Sequence, residues 1–111
     1  MKPPRTKTEW VKMTLEVAKF VNPHIEWIAE PDGRIVSKHG MLDFSLENTK
    51  DQLATRAALE AKGWNFKAGS KYCYAYRRFQ NAKNSGTEEH KYNTLPEALV
   101  DCVRIMKMEG E

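Results

Sequence analysis

Between Lys67 and Lys83 the chain collects side chains suited to holding a polyanion: Lys67, Lys71, Tyr72, Tyr74, Tyr76, Arg77, Arg78 and Lys83. Tyrosines at alternate positions of a strand share one face. Rings displayed that way can stack unpaired bases while lysine and arginine meet phosphates. The spacing of glycines and aromatics is not that of the RNA-recognition sheet, and the order of elements differs as well. The plainer expectation for the same strand is a sheet face roofed by a helix, with the cations at its ends.

A second group is apolar. Trp10, Met13, Val17 and Phe20 lie on the first predicted helix, away from the stripe formed by Val11, Leu15 and Ala18. A helix apolar on several sides either touches more than one neighbour or leaves a patch for a protein partner. These four are the candidate protein contacts.

Other chemistries lack their residues. His24, His39 and His90 show none of the spacings used by zinc sites, so no metal is expected. The glycines are isolated and form no phosphate loop. No Gly-x-Ser-x-Gly or Cys-His pattern marks a nucleophile. The reading is therefore a protein without a cofactor that binds and does not catalyse.

A chain of 111 residues, 41% hydrophobic and 30% charged, suits one globular domain. Lys and Arg number 18 against 15 acids, and a net charge of +3 is too small by itself to argue for nucleic acid. Cys73 and Cys102 are not in a Cys-x-x-Cys pair and no signal-peptide pattern is present, which points to two buried thiols in a reducing cytosol. No apolar run approaches the roughly 18 residues that span a bilayer, so no membrane contact is expected.

The elements that must position these groups follow from caps, breaks and periods. Residues 1–7 form a basic lead-in with Pro3-Pro4, residues 8–108 one α+β domain, and residues 109–111 a tail. Thr6 and Glu9 have capping-box spacing and open a helix that Asn22-Pro23 closes. A hairpin turns at Glu30-Pro31-Asp32-Gly33, and Met41 to Phe44 reads as an irregular apolar plug. Asn48 or Thr49 caps a second helix running to Lys62, with an inner stripe of Leu53, Ala54, Ala57, Ala58 and Ala61 and a stop at Gly63. A second hairpin breaks at Ala68-Gly69-Ser70, and its long strand is expected at the centre of a sheet. Gln80 to Thr87 reads as a polar loop, and Glu88 to Tyr92 as a short strand. Thr94-Leu95-Pro96-Glu97 opens the last helix, with Leu95, Ala98, Leu99, Cys102, Ile105 and Met106 on one stripe. The fold class is α+β, a helix and antiparallel-sheet sandwich in the order α-β-β-α-β-β-(β)-α.

Taken together, Ile25-Glu26-Trp27, Pro31-Asp32-Gly33, Asp43-Phe44-Ser45, Lys62-Gly63-Trp64, Tyr72 to Arg77 and Asn93 to Ala98 resemble the phage ABA-sandwich domain of small phage and prophage proteins. The resemblance covers residues 8 to 108. It implies a helix, sheet, helix sandwich encoded by a phage or prophage and working in the host bacterial cytoplasm. It brings no catalytic residues. The expectation is an accessory protein that binds a host or phage protein, as a modulator of host defence or another host process. Nucleic-acid binding through the tyrosine strand and a structural homo-oligomer, such as a dimer through the first helix or a sheet edge, are the alternatives.

Overall fold

The computed structural model describes residues 6–80 and 85–110. In chain order it contains α1 (Lys7–Val21), β1 (Trp27–Ala29), β2 (Ile35–Ser37), β3 (Asp43–Phe44), α2 (Thr49–Glu60), β4 (Asn65–Ala68), β5 (Cys73–Gln80), β6 (Ser85–Tyr92) and α3 (Leu95–Met108). The protein is thus α+β, with antiparallel strands and helices packed on them. The strands divide into two sheets, β1-β2-β3 and β4-β5-β6, with β5 central in the second. The sequence pointed to one sheet. The two strand groups are separated by α2, and each finds its partners within its own half of the chain.

Local chemistry sets the element ends. The Thr6 hydroxyl accepts the Glu9 N–H at 3.1 Å, and the Thr94 hydroxyl accepts the Glu97 N–H at 3.3 Å. Each satisfies an N–H group that has no partner inside its helix. Asn48 does the same for α2, accepting the Lys50 N–H at 2.9 Å. The first hairpin turns where the Gly33 N–H reaches the Glu30 carbonyl at 2.9 Å, and Gly33 takes a φ of 93°, open mainly to glycine.

The hub is α3. Ala98, Leu99, Val100, Asp101, Cys102, Val103 and Met106 are all buried along it, because α1, α2, β5 and β6 all pack against it. Its expected stripe forms one side of this contact, and Val100 and Val103 meet neighbours on another. The buried Asp101 carboxylate accepts from the Tyr92 hydroxyl and from the Arg104 guanidinium at 2.6 and 2.9 Å. These bonds offset the cost of removing a charge from water. α1 lies between α3 and the first sheet, where Val17 and Ala18 join Trp27, Ile35 and Phe44 in the core.

Three elements differ from expectation. Most of the expected stripe of α2 does not face inward: Leu53 is 58% exposed, Ala54, Ala57 and Ala61 also face solvent, and Ala58 alone of the five is half-buried. Thr55 and Leu59 are the buried pair instead. Leucine gains far more from burial than alanine, and the Thr55 hydroxyl is satisfied by donating to the Asp51 carbonyl at 2.7 Å. β3 replaces the irregular plug, pairing Phe44 with Ile35. β6 begins at Ser85, not Glu88, since the β5 ladder continues through Arg78↔Thr87 and Phe79↔Gly86 to Gln80↔Ser85. The polar composition of 80–87 suggested a loop; at Gln80 and at Ser85 to Thr87 the pairing partner overrides it, and residues 81–84 of that expected loop lie outside the described residues. The expected lead-in falls mostly outside the described residues, and its last residue, Lys7, already belongs to α1. Glu109, assigned to a tail, caps α3 and bonds Arg77 at 2.5 Å.

Candidate functional site

Strand alternation gives β4-β5-β6 two different faces. On the inner face Cys73 and Ala75 are buried beneath α3. Arg77 follows them on that face. Its Nη2 donates to Glu109 at 2.5 Å and its Nε to Glu88 at 2.8 Å, and the guanidinium lies 4.5 Å from the Trp64 ring centroid. The hydrogen bond with Glu109, foremost, raises the Arg77 pKa against the opposing effect of burial, and the same bond holds the Glu109 carboxyl below its ordinary value. Arg77 is therefore a structural cation and leaves the candidate nucleic-acid set.

The outer face follows from the strand register. Lys67 and Lys91 flank Tyr74 in one row, and Asn65 and Glu89 flank Tyr76 in the next. Arg78 opposite Thr87 makes the row beyond. Directly paired residues have Cβ atoms about 4.5–5.5 Å apart, so each row is one continuous patch. Tyr72 is 40% exposed at the end of the tyrosine line, with Lys91 Nζ 3.7 Å from its ring centroid, a cation–π contact. Tyr74 and Tyr76 are half-buried by their neighbours on the sheet, and Lys67, Lys71, Arg78, Glu89 and Lys91 are exposed. Among the ion pairs of the described residues, none involves Lys67, Lys71, Arg78 or Lys91. Lys67, Lys91 and Arg78 thus share the tyrosine face with no carboxylate partner among the described residues, and Lys71 is exposed in the bend that precedes β5. Lys83 lies outside the described residues.

Sequence reasoning missed Lys91, Glu89 and Asn65. The alternation of Glu89 and Lys91 against Glu88, His90 and Tyr92 was visible, but only the pairing with β5 tells which set shares the tyrosine face.

The proposed protein contacts are placed differently. Val17 is fully buried, while Trp10, Met13 and Phe20 are half-buried and pack against the core. Met13 borders an apolar groove of about 250 Å³ between α1 and α3, beside Val100, Val103 and the 74% exposed Met108. An ion pair between Lys107 and Glu16 lies at its rim.

His24 and His39 line a second cleft, of about 310 Å³, with Glu26 and Lys38. No group of three or more His, Cys, Asp or Glu among the described residues is arranged to hold a metal. His90 is on the inner face of the second sheet, its Nε2 buried and 3.6 Å from Glu88, too far for a hydrogen bond. Cys73 and Cys102 are free, buried thiols, and burial foremost pushes both above their ordinary values. Tyr92 is shifted upward by burial and by its bond to Asp101. No helix among the described residues is long and apolar enough to cross a membrane.

No family model, curated protein or solved structure matches this chain.

Proposed function

We propose that this is a small phage or prophage accessory protein that acts by binding, and that the outer face of β4-β5-β6 binds nucleic acid. The origin rests on the sequence resemblance. The ligand class rests on one observation: the tyrosines of β5 share their face with Lys67, Arg78 and Lys91, with Lys71 exposed in the bend before the strand, and these four make no ion pair with the described residues. Aromatic faces with cations free of carboxylate partners beside them complement a polyanion that also carries flat rings; Lys91 already lies over the Tyr72 ring, so Tyr74 and Tyr76 are the stacking faces. A protein partner has less support, since Val17 is enclosed and Trp10, Met13 and Phe20 are engaged with the core.

The test is a titration of single-stranded oligonucleotide at two salt concentrations. Four phosphate contacts to a single strand give a slope of log affinity against log salt near −2.8, or about a fiftyfold loss between about 50 and 200 mM. Absence of binding at the lower concentration, or an affinity indifferent to salt, would overturn the reading and return the protein-partner alternative.

A further inference from the structure

The two tyrosine rows differ in chemistry, and the difference carries a prediction about sequence preference that rests on the nucleic-acid reading above. Around Tyr74 both cross-strand neighbours are lysines, Lys67 and Lys91. That row offers a ring and two cations, which suits backbone phosphates and any base. Around Tyr76 the neighbours are Asn65 and Glu89. Glu89 is exposed, and its side chain makes no hydrogen bond or ion pair among the described residues. An ionised carboxylate only accepts hydrogen bonds. The Asn65 amide nitrogen donates to the Gly63 carbonyl at 3.5 Å, which leaves its oxygen as a second acceptor. The Tyr76 row is therefore a ring between two acceptors, on a face otherwise ringed by cations.

A carboxylate among phosphate-binding lysines weakens binding to the backbone, and a hydrogen-bonding role toward the base accounts for its place beside the ring. We propose that the outer face binds unpaired strands, with the Tyr74 row anchoring backbone and the Tyr76 row selecting a base that carries an exocyclic amine. Cytosine offers N4–H₂, adenine N6–H₂ and guanine N2–H₂ as donors to Glu89. Thymine and uracil present a carbonyl oxygen at the corresponding position, which meets the carboxylate acceptor to acceptor. A duplex hides the faces of its bases in its own stack, so the tyrosines have nothing to stack on there. Glu89 is thus the specificity-determining residue and Tyr76 its platform.

The experiment compares oligo(C) with oligo(U), and oligo(dC) with oligo(dT), at about 50 mM salt, on the full chain and on Glu89→Gln, Tyr76→Ala and Tyr76→Phe. The relative affinities of the ribose and deoxyribose series separate RNA from DNA as the preferred ligand. The chain should prefer the cytosine strand by about tenfold, the range of one well-formed base contact. Glu89→Gln should strengthen binding to both strands and bring their ratio close to one, because removing a negative charge acts on every sequence and only a base contact acts on the ratio. Tyr76→Ala should weaken both strands, with Tyr76→Phe restoring them. A ratio near one in the unaltered chain, a ratio that Glu89→Gln leaves in place, or duplex bound as tightly as single strand would each overturn this inference while the broader reading stands. Failure of every oligonucleotide to bind would overturn that reading too.

Discussion

Arg77 and Arg78 are adjacent on β5, yet the Arg77 side chain is only 14% exposed and bound by two carboxylates, while Arg78 faces solvent and pairs with no carboxylate of the described residues. One step along a strand reverses the face. On the inner face a charge must be fully paired to be tolerated, so Arg77 is joined to Glu88, Glu109 and the Trp64 ring. On the outer face a charge remains hydrated and needs no partner, so Arg78 stays available to a ligand. The same alternation separates Cys73 and Ala75, buried under α3, from Tyr74 and Tyr76, displayed on the other side. Residue type alone does not assign a function here; the face does.

The contrast is most severely tested on the inner side. Trp64 is 1% exposed and supports the Arg77 guanidinium, so Trp64→Ala should lower unfolding free energy by about 3–5 kcal/mol in urea titration. A loss below about 1 kcal/mol would mean that the inner face is loosely packed and the two faces are alike. Arg77→Ala should cost about 2–3 kcal/mol, because it leaves Glu88 without its cation, and less than a fully buried pair because Glu109 is partly solvated. Arg77→Lys should recover only part of that loss, since an ammonium cannot bridge two carboxylates and stack on indole as a guanidinium does. Neither variant should lower oligonucleotide affinity while the fold holds.

The inner thiols sharpen the contrast through pH. Burial raises the pKa of both Cys73 and Cys102. Below about pH 8.5 the thiols are protonated in the folded and unfolded chains alike, and their contribution to stability is fully present. As pH rises further the unfolded chain releases protons that the folded chain retains, so stability falls by up to about 1.4 kcal/mol per pH unit for each thiol. Tyr92, also raised, acts in the same direction above about pH 10. Urea titrations from neutral to alkaline pH should show the decline, and Cys102→Ala should flatten it even though the variant starts less stable. An equally steep decline in that variant would place the titrating group elsewhere.

How much of this was legible in the sequence depended on how local the cause was. The Thr6 and Thr94 caps, the Gly33 turn and the alternation of β5 are settled within a few residues and could be read directly. The face of α2 could not, because the choice between an alanine stripe and Leu59 is made by what packs against the helix. The site divides along the same line. Lys67, Tyr72, Tyr74, Tyr76 and Arg78 were recognisable as a cluster, and alternation alone set Arg77 on the opposite face, but that this face is the covered one, closed by Glu109 32 residues on, required the fold. Lys91 and Glu89 required the β5-β6 register.

The smallest effect bears on the outer side of the pair. Arg78→Ala removes a charge with no ion-pair partner among the described residues, so unfolding free energy should change by no more than about 0.5 kcal/mol. Under the proposed nucleic-acid reading its effect falls on binding instead, as a uniform loss across oligonucleotide sequences and a salt slope shallower by about 0.7, the share of one phosphate contact on a single strand. A destabilisation comparable to that of Arg77→Ala would mean that Arg78 also belongs to the fold and that the two faces are not divided as described. An unchanged slope in a stable variant would confine phosphate contact to Lys67, Lys71 and Lys91, which places the strand across the Tyr74 row and away from the end of β5.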